Sequence, residues 1–94
     1  MIIVSGQLYV KAGMRETFIA GSREAMAAAR RAEGCHDFVV AADPLEDDRV
    51  NVYEAWDSDE TLEAFRGSGM SDDLSSLIER AQVRRHVIAA TGSA

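Results

Sequence analysis

Apolar and polar residues alternate at the start of the chain. Ile2, Val4, Leu8 and Val10 fall on one side of an extended segment, and Ile3, Ser5, Gln7 and Tyr9 on the other, which predicts a strand over Ile2 to Val10 whose first face is the drier. After Lys11-Ala12-Gly13 the period changes. Met14, Phe18, Ser22, Ala25, Met26, Ala29 and Ala32 step by three and four, the stripe of a long alanine-rich helix. It should stop at Gly34, which can take a left-handed cap, with Arg30 and Arg31 near the end where positive charge is favoured. Cys35 to Ala42 reads as a second strand, apolar on both faces through Phe38, Val39 and Val40 and so expected to be covered on both sides. The acidic loop around Pro44 then suits a hairpin longer than a two-residue turn. Val50 to Trp56 returns as the third strand, with Val50, Val52, Glu54 and Trp56 on one face and Asn51, Tyr53 and Ala55 on the other.

Asp57 or Ser58 caps the next helix, Glu60 stands three residues after Asp57 in a capping-box-like spacing, and Leu62 and Phe65 supply its buried side. Gly67-Ser68-Gly69 ends it, and without a preceding strand or a lysine this is a linker and not a phosphate loop. Ser71 is a second cap, followed by a stripe of Leu74, Leu77, Ile78 and Ala81. A last strand runs from about Gln82 to Ala90, and residues 91–94 form a frayed tail. The order β-α-β-β-α-α-β over a single domain, residues 1–94, predicts an α+β, ferredoxin-like βαββααβ fold with a four-stranded antiparallel sheet. Right-handed crossovers are expected to set strands one and three side by side and parallel to one another. Helices cover one sheet face. The other carries Ile3, Tyr9 and Tyr53, which should not be left in water, so a second copy is expected to pack sheet against sheet.

Composition narrows the partners. Ten basic against 16 acidic residues give a net charge of −6, which repels a phosphate backbone and excludes nucleic acid. No stretch approaches the roughly 20 apolar residues of a membrane span, and the start lacks the basic region of a signal peptide. Cys35 is the only cysteine, so no intrachain disulfide is possible and a reducing cytoplasm fits. Cys35 and His36 point to opposite faces of a strand and cannot converge on one ligand.

Gly34-Cys35 with Phe38, the acidic hairpin, Tyr53-Glu54-Ala55-Trp56 and the helix from Ser58 to Phe65 together resemble the antibiotic biosynthesis monooxygenase family of dimeric α+β barrels. The resemblance implies a homodimer and, in active members, oxidation of small aromatic or quinol substrates by dioxygen without metal or flavin. Phe65 stands where many members, including a haem-degrading branch, carry a histidine, so haem ligation from this helix is not expected.

Family chemistry needs a group that takes a proton from a hydroxy-aromatic, a group that stabilises the anion, and a dry pocket between sheet and helices. The candidates are His86 as base, Arg84 on the same strand face as an oxyanion partner, and Trp56 as a stacking platform, with Phe65, Met70 and Phe18 lining the pocket. Asn51 and Tyr53 belong to the interface between subunits. The alternative is a small-molecule-binding or accessory barrel without catalysis.

Overall fold

The computed structural model describes residues 1–67 and 72–94, and of Asp72 and Asp73 the backbone alone. Seven elements follow in order: β1 (Ile2–Val10), α1 (Arg15–Arg31), β2 (Cys35–Ala42), β3 (Arg49–Trp56), α2 (Asp59–Arg66), α3 (Asp72–Ser75) and β4 (Ile78–Val87). They form one four-stranded sheet in the order β2-β3-β1-β4. All three pairings are antiparallel. This corrects the expectation that β1 and β3 run parallel: they are neighbours, but β3 is the strand inserted between β1 and β2, the two strands joined by the α1 crossover.

The period-two pattern assigns the faces. Ile2, Val4, Leu8 and Val10 look towards the helices, in register with Trp56, Glu54 and Val50 on β3. On that side the apolar residues form two clusters. Ile2, Val4, Ala29, Trp56 and Leu62 make one; Leu8, Val10, Phe18 and Val50 make the other. Between them on β1 lies Gly6, which has no side chain to bridge the two.

Four further expectations are corrected. The last strand begins at Ile78 and ends at Val87, because Ile78 pairs with Val10 and Ala81 with Leu8, and α3 is a single four-residue turn. Ile78 and Ala81 therefore belong to a strand, although their spacing from Leu74 and Leu77 also fits a helix. Of the two cap residues offered for α2 it is Ser58 that serves, its side chain accepting from the Thr61 amide while the Thr61 hydroxyl accepts from the Ser58 amide; the expected box of Asp57 with Glu60 plays no part in it. Third, β2 is a border strand with no buried residue, so it is not covered on both sides. Its outward backbone is partly occupied all the same: Arg30 Nε donates to the Phe38 carbonyl at 2.9 Å, and the Val40 amide donates to the Met26 sulfur at 3.3 Å. Gly34 is not the helix cap that was expected: α1 ends at Arg31 with the extended Ala32 as its C-cap, and Gly34, with φ +81, lies in the turn that follows, closed by the Cys35 amide on the Ala32 carbonyl at 3.2 Å. The expected cap Ser71 lies outside the described residues.

The β2–β3 hairpin is tied down by side chains. Arg15 Nη1, from the first turn of α1, donates to the carbonyls of Asp43 and Glu46 at 3.0 and 2.7 Å. The Asp43 carboxylate accepts from the Asn51 amide and from the backbone amides of Glu46 and Leu45, which lowers its pKa from 3.8 to about 2. A depressed carboxyl pKa stabilises the fold above the unfolded value and ceases to do so as pH falls through the folded one. An Asp43→Ala variant should therefore be less stable than the parent at neutral pH, with the gap closing as pH falls from 3.8 towards 2. Urea midpoints along that pH series check it, and a constant gap would contradict the assignment.

Candidate active site

The helix-facing end of β3 holds the site. A strand alternates its faces, so Glu54 and Trp56 project to the same side, where α2 closes over them through Leu62 and Phe65. Trp56 and Leu62 are fully buried. The Phe65 ring lies 5.4 Å from Trp56 at a tilt of 33°, and 5.8 Å from Phe38 edge-on at 65°. Phe38 reaches this corner because of a bulge. Cys35 pairs with Trp56, and the next pair is Asp37 with Ala55, so His36 is the extra residue and Cys35 and Phe38 share the helix side. Cys35 packs half-buried against the same cluster. Burial pushes its thiol pKa up, and the Glu54 charge adds to this.

Glu54 is the one acidic residue in this apolar corner, with 7% of its surface exposed. Its Oε1 accepts a hydrogen bond from the Trp56 indole at 3.0 Å. Burial raises its pKa, opposed by that hydrogen bond and by the charges of Arg66 and Arg85. Arg85, on the helix side of β4, donates to Asp59 at 2.9 Å and to Glu63 at 2.5 Å, clamping α2 to the sheet. Beyond Phe65 an open groove of about 450 Å³ runs between the end of α1 and α2, lined by Ala32, Glu33, Glu60, Thr61, Ala64 and Phe65. Phe65 therefore faces the groove on one side and Trp56 on the other.

The residues proposed from sequence do not all meet here. Trp56 and Phe65 come together. His86 and Arg84 share a face as read, but it is the opposite one: they pair with Ile3 and Ser5 and stand exposed on the sheet side that the helices leave open. Phe18 is buried in the other apolar cluster, and Met70 lies outside the described residues. Asn51 and Tyr53 are on the open face too, with Tyr53 42% exposed. His36 is exposed and hydrogen-bonded to Asp57 at 2.5 Å. Sequence reading passed over Glu54 as a site residue. The signal was present: a carboxylate at an even position of β3, on the face of Val50, Val52 and Trp56, is a charge on an apolar stripe.

Among the described residues, no group of three or more His, Cys, Asp or Glu side chains converges as a metal site, and no helix is long and apolar enough to cross a membrane.

Comparison with known proteins agrees with this architecture. The chain superposes with a TM-score of 0.85 on a protein from Nitrosomonas europaea provisionally assigned as an antibiotic biosynthesis monooxygenase, at 17% identity, covering 96% of this chain and 100% of that one. PA3566 from Pseudomonas aeruginosa gives 0.83 at 17% identity, covering 95% and 94%. A provisionally assigned antibiotic biosynthesis monooxygenase from Chloroflexus aurantiacus gives 0.77 at 26% identity, covering 98% and 96%. No curated protein matches the sequence. The sequence profile named antibiotic biosynthesis monooxygenase matches residues 1–75, the span that carries the β3–α2 corner, and the chain belongs to that family.

Proposed function

We propose that this protein is a monooxygenase that oxidises a small hydroxy-aromatic or quinol with dioxygen, without metal or flavin, beside Trp56. The observation that carries the reading is the aromatic corner of Trp56, Phe65 and Phe38 built around Glu54, the single buried carboxylate among the described residues. Aromatic faces hold a flat substrate by offset or edge stacking, and the surrounding apolar residues keep water away from a reacting anion. In the reaction a ring C–H becomes C=O. One oxygen atom of O₂ enters the ring, and the other leaves as water with the ring hydrogen and the hydroxyl proton. Phe65 is the side chain that must turn aside for a ligand arriving from the groove. Tyr53, Ile3 and Val39 on the open face support a homodimer packed sheet to sheet, with His86 and Arg84 at that interface.

One feature favours a second reading. Phe65 fills the space beside Trp56, and the two polar candidates on β4 lie on the far face, as suits a binding or accessory protein without chemistry. Oxygen uptake with a panel of hydroquinones and hydroxynaphthalenes, in the presence of a chelator, separates the two. The monooxygenase reading expects uptake matched by substrate loss, and light scattering on the same sample should return the mass of two 10.2 kDa chains. Quenching of Trp56 emission without uptake would instead establish the binding protein. A scattering mass of one chain would remove the sheet-to-sheet pairing.

A further inference from the structure

We propose that Glu54 is the proton acceptor for the substrate hydroxyl, with Oε1 held by the Trp56 indole and Oε2 receiving the proton. This rests on the oxidation reading above and supplies the base that the β4 residues, on the other face, do not.

The geometry separates the two oxygens. Oε1 accepts the 3.0 Å bond from Trp56, and among the described residues no hydrogen bond is made to Oε2. Yet among the described residues no fully buried side-chain oxygen lacks a partner. Oε2 therefore keeps contact with solvent although the residue is 93% buried, being 7% exposed. One oxygen is oriented and the other is open. A structural role would not need this: a glutamine could accept from the indole equally well without placing a charge in an apolar corner.

The ionisable groups around Glu54 keep it available as a base. From β2 comes Cys35, from α2 Arg66, and from β4 Arg85. Its register partner on β1 is Val4, and α1 contributes Ala29 to the same cluster, neither of them ionisable. The Arg85 guanidinium is already engaged by Asp59 and Glu63, so most of its charge is compensated before it reaches Glu54. Burial is then the leading influence and raises the Glu54 pKa, which makes the carboxylate a stronger proton acceptor than an exposed one. In the step itself the substrate O–H bond breaks, its electron pair stays on the substrate oxygen, and a new O–H bond forms on Oε2. The resulting anion is the species that dioxygen oxidises.

The test compares the full-length protein with Glu54→Gln, which preserves the acceptor for Trp56. First, phenol is added without oxygen and the carboxylate stretch is followed by infrared difference spectroscopy. The parent should show a shifted band that Glu54→Gln lacks; no shift in the parent overturns the proposal. Second, oxygen uptake with a hydroquinone is measured against pH. Glu54→Gln should lose about 100-fold or more in kcat with a small change in KM, and should lose the acidic limb of the profile. A rate within about threefold of the parent and an unchanged limb would overturn the assignment while leaving the oxidation reading in place. A phenol-dependent band shift in a parent that consumes no oxygen with any substrate does the reverse: the oxidation reading falls and the Glu54 contact stands. If Glu54→Gln does not fold, Glu54→Asp takes its place. It keeps the carboxylate one methylene further from the substrate, and it should slow turnover while retaining the acidic limb; a parent-like rate would count against Glu54.

Discussion

Replacing Gly6 by alanine is expected to leave little folded protein. Gly6 sits in the middle of β1, between β3 and β4, with φ +152. A Cβ there would lie 1.9 Å from the carbonyl oxygen of Gln82 and 2.8 Å from the Val83 Cα. Both are backbone atoms of β4, so no rotamer change relieves the clash. Either β4 moves away from β1 or Gly6 leaves its conformation. A non-glycine residue held in so sparse a region costs about 1–3 kcal/mol, and the loss of ladder bonds to β4 adds to this, so a total of about 4 kcal/mol or more is expected. For a domain of this length that lowers the thermal midpoint by at least about 15 °C. Gly13 is the internal control. Its φ is +76, but a Cβ added there meets nothing within 4 Å, so Gly13→Ala should cost only the backbone preference, about 1–2 kcal/mol. Equal midpoints for the two variants would remove the close approach of β1 and β4 as the reason for glycine.

Trp56→Ala should be nearly as damaging. Trp56 is fully buried against Ile2, Val4, Ala29 and Leu62, and removing an aromatic ring from such a place costs about 3–5 kcal/mol. The Glu54 carboxylate also loses the indole hydrogen bond, worth about 1–3 kcal/mol when a charged group is involved. The cavity should dominate, because water entering the emptied space can solvate Glu54 but cannot restore the packing. Trp56→Phe separates the two effects: it keeps most of the bulk and should cost about 1–2 kcal/mol, close to the hydrogen bond alone. Urea unfolding followed by circular dichroism measures both, since the alanine variant has no tryptophan to report. A loss below about 1 kcal/mol for Trp56→Ala would mean that the ring contributes little to the core.

Most of the architecture was legible because period is a local property. The alternation of Ile2 to Val10 and the three-four stepping from Met14 mark β1 and α1 without reference to anything distant. What was not legible depends on pairing. The bulge at His36 brings Phe38 to the side of Cys35, and nothing in Cys35-His36-Asp37-Phe38 announces the extra residue, which exists only relative to β3. Gly6 reads as one more strand position until β4 lies against it. The start of β4 was missed because Leu74, Leu77 and Ile78 pack on the same Phe18 cluster whether the backbone is helical or extended. For the site, Trp56 and Phe65 were found through type and spacing. The face of His86 and Arg84 relative to Trp56 could not be, since it follows from the β1–β4 register, in which Val87 and not His86 pairs with Ile2. Glu54 was overlooked for the opposite reason: its face was known, but its side chain was read as part of a motif and not as a charge that the core must accommodate.

The side chains of Arg30 and Met26 that occupy the outer backbone of β2 limit how the sheet can grow. An incoming strand would have to displace both, whereas β4 carries no such cover among the described residues. Strand addition at the β2 edge is thereby disfavoured. Two chains joined through their β4 edges would leave only guarded β2 edges at either end, so such pairing closes at two copies and does not propagate into a fibre.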